Sequence, residues 1–394
     1  MPDKRMLLLA GVGLTLLVFF VSLLLYPHAA LEAALRGFAI WWDVLFPALF
    51  PFLVISEMML GVGIVHFLGT LFDPFMRPVF RVPGIGGFVF AMGFAAGYPV
   101  GSKLATQLNE QQLISRTEAE RLTAFTSTSD PIFLIGAVSI GFFHDPALAW
   151  VLAAAHYGTA IVIGVLMRFY RGDDRRDPPL ARWEFRSSVF VRAFQAMHEA
   201  RLKDGRNLGV LLQDAVMSSI QLIMVIGGLM VFFSVLLEMM IRIGWLPALT
   251  TVISGALAVA GIPLALTEAI ANGIFEVTLG ARTAGSLADT VGLKPSAAVT
   301  AFILSWSGLS VHAQIVSIMS RARLRYAPFL LSRIVHGILA FLAVMAGWDV
   351  LYPAAERAWG AAAAYAGGLP ARLGAVWLWP LTAAVFAAIL AILA

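Results

Sequence analysis

Apolar residues run along this chain in blocks about as long as a bilayer crossing. Such blocks lie at 6–26, 39–61, 118–143, 147–168, 214–240, 296–319, 328–349 and 377–394. Each is near the roughly 20 residues that an α-helix needs to cross about 30 Å of hydrocarbon. Two further apolar stretches, 84–113 and 262–291, are interrupted near their middles by Gly, Pro or polar residues. They are expected to be re-entrant helical hairpins, because irregular backbone at membrane depth survives only where protein or a watery cavity satisfies it. The shorter segments 63–80 and 243–260, which precede them, are expected to lie along the interface.

The blocks also repeat. Glu57 and Glu238, Gly101 and Gly280, Lys103 and Arg282, Ser127 and Ser305, and His156 and His336 stand 178 to 181 residues apart. In the first copy Gly97-Tyr98-Pro99-Val100-Gly101-Ser102-Lys103 breaks one apolar segment and Thr126-Ser127-Thr128-Ser129-Asp130-Pro131 breaks the next. In the second, Glu276 to Arg282 and Ser305-Trp306-Ser307-Gly308 take their places. The expected organisation is an N-terminal transmembrane helix and outer linker (1–38), a first repeat (39–169), a basic linker (170–213), a second repeat (214–349), and an outer linker with a last helix (350–394).

Composition agrees with a polytopic membrane protein: of 394 residues 60% are hydrophobic and 13% charged, against about 25% charged in soluble domains. Lys4 and Arg5, the arginines and Lys203 between 171 and 206, and Arg321, Arg323, Arg325 and Arg333 mark cytoplasmic connections by the positive-inside rule. The N-terminus is then cytoplasmic, and the two repeats have opposite orientations. The basic residues sit in short runs between apolar blocks, which is a topology signal and not a nucleic-acid footprint. With no cysteine there is no disulfide and no thiolate metal site. Neither a Gly-rich phosphate loop nor a zinc-protease helix around His198-Glu199 is present, so no enzyme, cofactor or metal is expected.

Inverted repeats with discontinuous helices are an architecture of secondary transporters, which bind substrate where the breaks meet near the midplane. The expected binding set is therefore Gly97, Tyr98, Gly101, Ser102, Lys103, Thr126, Ser127, Ser129, Asn272, Glu276, Thr278, Arg282, Ser305, Trp306, Ser307, Ser310 and His312. Lys103 and Arg282 either face an anion, pair internally or snorkel; a Glu276–Arg282 pair within the hairpin is one such competitor. Asp130 and Thr128 are candidates for a coupling ion or proton, and Asp130 equally suits a cap on the half-helix that follows. His312 either bonds substrate or packs, and Trp306 either stacks on an aromatic ligand or packs. His156 and His336 suit a shared supporting role, such as a hydrogen bond to the broken helix. Glu57 and Glu238 lie near span ends and suit the interface.

The runs Leu45 to Glu57, Met92 to Lys103, Glu118 to Leu122 and Thr126 to Ser129 resemble the YlbJ family of sporulation integral membrane proteins, over about residues 6–350. The resemblance implies an all-α polytopic fold with two nucleoside-recognition (Gate) domains, similar to concentrative nucleoside transporters. It implies a scaffold and a moving transport domain, elevator-like motion, and a homo-oligomer, dimer or trimer. It also implies a role in moving dipicolinic acid across the outer forespore membrane. The alternatives are a nucleoside or related transporter and a non-transporting structural protein of the spore envelope.

Overall fold

The computed structural model describes residues 4–171 and 189–368, and these are helical almost throughout. The expected last span at 377–394 lies outside the described residues. Among the described residues, four stretches are long and apolar enough to cross a membrane by themselves: Leu148–Met167, Leu208–Arg242, Leu293–Arg321 and Tyr326–Gly360, part of a longer helix. Two bent pairs satisfy the same test jointly.

The first of these pairs corrects the expected outer linker. Helix α1 (Lys4–Leu25) turns at Tyr26 into a second helix, α2 (Pro27–Ile40), with a bend of 101°. Proline at the first helical position is preset for a helix start, and the Ala-rich run behind it propagates. A π-helical turn at Trp41–Leu45 then leads into α3 (Phe46–Val62). Helix α3 turns at Gly63 (φ +90°) into α4 (Ile64–Phe80), which packs on α9 (Val189–Asp204). The expected basic linker therefore contains a helix.

The long helix α10 (Leu208–Arg242) is the spine of one group of helices, with α2 and α3 laid along it. Trp41 fixes their register: its indole Nε1 donates to Ile223 O at 3.0 Å, and its ring lies against Gly227. The second group holds both interrupted hairpins. The first hairpin is α5 (Gly86–Ala96) and α6 (Tyr98–Glu110); the second is α12 (Thr267–Phe275) and α13 (Val277–Ser286). Each follows a helix expected at the interface, α4 and α11 (Trp245–Ala260) respectively. The short α14 (Ala288–Val291) leads out of the second hairpin.

The two broken spans complete this second group. One is α7 (Arg116–Thr126), a non-helical Ser127–Asp130 segment, and a helix that begins at Pro131 and turns π-helical over Phe133–Phe142. The other is α15 (Leu293–Trp306) and α16 (Gly308–Arg321), parted at Ser307 (φ +78°). Helices α8 (Leu148–Met167) and α17 (Tyr326–Gly368) pack against α7 and α15. Helix α17 runs through much of the outer linker expected after residue 349. α7 is buried on all sides from Ala119 to Thr126, and its start is fixed by a capping box in which Ser115 and Glu118 exchange hydrogen bonds.

Glycine sets the hairpin geometry. A Cβ on Gly93 or Gly101 would lie 2.6 or 2.7 Å from Thr126 O. A Cβ on Gly280 would lie 2.6 Å from Gly273 N. The first hairpin thus seats its glycines on the broken span, and the second closes glycine on glycine.

Candidate functional site

The four interruptions meet at two crossings. At the first, Gly97 (φ +88°), between α5 and α6, lies beside Asp130 at the break after α7. At the second, Gly308 (φ +74°), at the start of α16, lies beside Glu276, between α12 and α13. Both carboxylates are buried, and both cap helices: Asp130 Oδ1 accepts from Phe133 N at 2.8 Å, and Glu276 Oε2 from Leu279 N at 2.7 Å. Each repeat therefore carries one acid and one glycine at its crossing, on exchanged elements. The acid sits on the broken span in the first repeat and on the hairpin in the second.

Side chains from other elements occupy the carbonyl ends of α5, α7, α12 and α15. Gly93 O, on α5, accepts from Thr128 Oγ1 at 3.3 Å. At the end of α7, Ala124 O and Ser127 O accept from the guanidinium of Arg333, the latter at 2.6 Å. Ile274 O, on α12, accepts from Trp306 Nε1 at 3.0 Å. On α15, Leu304 O accepts from the Tyr98 hydroxyl at 2.6 Å and Trp306 O from His312 Nε2 at 2.9 Å. The amino ends differ. Those after Asp130 and Glu276 are capped by these acids, whereas α6 and α16 have no side-chain cap. The N–H groups without a side-chain cap at the starts of α6 and α16 favour negative charge.

A cavity of about 50 Å³ opens at this meeting point. Tyr98, Asp130, Glu276, Thr278, Ser310 and Gln314 give it polar lining, while Ile226 and Met230 of α10 form a wholly apolar wall. It has room for a few waters at about 10–15 Å³ each, so an aromatic dicarboxylate enters only when the wall and the breaks draw apart. Ser310 and Gln314 are 1% and 5% exposed, and neither bonds a described residue.

The other expected binding residues hold the framework. Ser102 and Ser127 share a 2.9 Å hydrogen bond, and Ser127 also donates to Thr123 O. Thr126 Oγ1 donates to Leu122 O, and Asn272 Nδ2 to Thr283 Oγ1. Ser129 N donates to His156 Nε2 at 2.9 Å, and Ser129 O accepts from Tyr157 Oη. Because His156 Nε2 accepts, its Nδ1 carries the proton and donates to Ser305 Oγ at 2.8 Å. His336 donates from Nε2 to His156 O and stacks on that ring, 5.1 Å between centroids. His312, held between Trp306 O and the Tyr326 hydroxyl, packs on the Trp306 ring at 4.3 Å.

Three charged residues depart from the expectations. Lys103 forms an ion pair with Glu57 of α3 and donates to Ser218 Oγ of α10 at 3.0 Å, so it ties the two helix groups together away from the cavity. Arg282 is exposed and pairs with no described carboxylate; Glu276 caps α13 instead. Arg333 is fully buried, about two turns inside α17. Glu238 pairs with Arg36 and Arg242.

Because the Lys103 and Glu57 side chains are only 11% and 12% exposed, Lys103→Met should destabilise the protein by about 2–3 kcal/mol, leaving a carboxylate buried without its cation. Adding Glu57→Gln should restore most of that loss in detergent unfolding titrations. An unrecovered double variant would refute the coupling.

This arrangement of apolar spans and paired, interrupted helices around one buried cavity defines a multi-pass membrane protein of transporter type. A family model described as nucleoside recognition (Gate) matches residues 43–169. The chain is 41% identical over 349 residues to the sporulation integral membrane protein YlbJ of Bacillus subtilis (strain 168), covering 88% of this chain and 84% of that protein. It belongs to the YlbJ family. It is also similar to the solved structure of CNTnw in an inward-facing substrate-bound state, at a TM-score of 0.44 and 13% identity, over 88% of this chain and 87% of that one.

Proposed function

We propose that the chain is a secondary transporter that carries a small organic anion, dipicolinate, across the outer forespore membrane during sporulation. The observation that carries this reading is the polarity of the breaks. A side-chain donor reaches the carbonyl end of each of α5, α7, α12 and α15, while the amino ends of α6 and α16 lie without a side-chain cap beside a cavity that also offers the Ser310 hydroxyl and the Gln314 amide. Two carboxylates of one ligand suit two helix amino ends, and the Tyr98 ring offers a face for an aromatic ring. The apolar α10 wall belongs to the other helix group, so the loaded group can slide along it as in an elevator, once the Lys103–Glu57 tie has parted. A homo-oligomer would hold the α10 group still in the bilayer.

Calorimetry with the purified full-length protein tests this reading. Dipicolinate should bind, and Ser310→Ala with Gln314→Leu should weaken it roughly 30- to 150-fold, at about 1–1.5 kcal/mol for each lost hydrogen bond. The description of the matching family model favours nucleoside as a second cargo. Uridine binding without dipicolinate binding would establish that reading in place of ours. If neither binds and reconstituted vesicles transport neither, the chain is a structural protein of the spore envelope.

A further inference from the structure

At each crossing two helix amino ends meet at one acid residue. The starts of α6 and of the helix after Asp130 share Asp130: a Cβ on Gly97 would lie 3.3 Å from its Oδ2. Glu276 caps α13, and the start of α16 lies against its backbone: a Cβ on Gly308 would lie 3.2 Å from Glu276 Cα, 3.1 Å from Val277 N and 3.1 Å from Phe275 O. Each amino end is worth about half a positive charge. Two of them balance one ionised carboxylate, so a crossing with its acid ionised is already neutralised and has nothing left to hold an anion. With the acid protonated, the same crossing offers close to a full positive charge.

The surroundings supply no other cation to the cavity. The described groups around Asp130 are the neutral His156, the hydroxyls of Tyr98 and Tyr157, and Arg333, whose guanidinium is spent on the end of α7. Around Glu276 stand Thr278 and, one turn into α16, His312, whose ring nitrogens are both engaged. The α10 wall contributes Ile226 and Met230 alone. That a ligand fills this space is indicated separately by Ser310 and Gln314, buried in the cavity lining and without a described partner.

We infer that Asp130 and Glu276 each take up one proton as a dicarboxylate binds, so that the protein carries a dianion together with two protons. This rests on the dicarboxylate reading above. The doubly loaded site adds no net charge to the protein, so the step across the bilayer is electrically neutral, and a pH difference drives it.

Calorimetry with dipicolinate, in buffers of different ionisation enthalpy, counts these protons on the full-length protein. The expected result is uptake approaching two protons per ligand, with affinity falling about 100-fold per pH unit where both acids are ionised in the free protein. Rising pH weakens binding because it removes the protons that binding requires. Asp130→Asn and Glu276→Gln keep a capping oxygen and should each take up one proton fewer, with affinity falling about tenfold per pH unit. Vesicle uptake by the unmodified protein should be insensitive to an imposed membrane potential.

Dipicolinate binding with no proton uptake, or a proton count unchanged in both variants, would overturn the inference and leave the transport reading standing. Absence of dipicolinate binding at every pH would overturn both.

Discussion

Replacing Arg333 with Met should cost about 3 kcal/mol of stability and abolish dipicolinate binding, the largest loss expected at any single side chain outside the cavity. Its guanidinium is fully buried and donates to two backbone carbonyls, Ala124 O and Ser127 O, where α7 stops. Removing it strands Ser127 O in a dry core and leaves Ala124 O only the long 3.4 Å bond from Ser332 Oγ, at about 1–3 kcal/mol for each unsatisfied oxygen, partly offset because a costly buried cation disappears as well. The segment it holds leads within three residues to Asp130. Released, that segment moves the carboxylate and the helix start it caps. Arg333→Lys should recover part of the stability, since one ammonium cannot span two carbonyls as the planar fork does. Thermal melts in detergent, alongside dipicolinate titrations, measure both effects. An Arg333→Met protein with unaltered melting and binding would refute this role.

Arg333 also shows where sequence reasoning reached its limit. Arginine near an apolar block reads as a cytoplasmic marker because most such residues are, and a partner formed by main-chain oxygens two hundred residues away leaves no pattern to detect. For Lys103 the sequence leaves internal pairing open without naming the partner, because Glu57 is brought to it only by the packing of α3 against α10. The breaks themselves were legible. Gly97-Tyr98-Pro99, Ser127 to Pro131, Glu276 and Ser307-Gly308 interrupt otherwise apolar runs at one offset, and local backbone chemistry decides each. The cavity lining was less so. Tyr98, Glu276, Thr278, Ser310 and Asp130 stand where the breaks placed them, but Ile226 and Met230 look like any other apolar residues of a spanning helix. Of the serine and threonine cluster at 126–129, Thr126, Ser127 and Thr128 bond groups within the framework, while the buried Ser129 Oγ has no described hydrogen-bond partner.

Gly280→Ala should separate the two arms of the second hairpin and cost about 3 kcal/mol or more. The added methyl would lie 2.6 Å from Gly273 N and 2.9 Å from Ala269 O, and backbone cannot yield as a side-chain tip can. Overpacking of this kind typically costs about 1–3 kcal/mol, and here the only relief is to move α13 away from α12. That movement displaces Glu276 and Thr278 from the cavity, so dipicolinate binding should fall with stability. Gly244→Ala is the control: Gly244 has nothing within 4 Å, though its φ of +80° adds modest local strain. Its smaller loss should leave dipicolinate affinity unchanged. Equal effects from the two substitutions on affinity would show that hairpin closure is not what positions the site.

The ties between the repeats run both ways. Tyr98 of the first reaches Leu304 of the second, and Arg333 of the second reaches Ser127 of the first. At the repeat offset, the counterparts of these donors are Val277 and Ala153, whose side chains have no hydrogen to donate. Two copies of either half would therefore lack one set of ties, and only unlike halves complete both. Each half thus completes helix ends of the other, and a second copy of either would leave one set of those carbonyls bare.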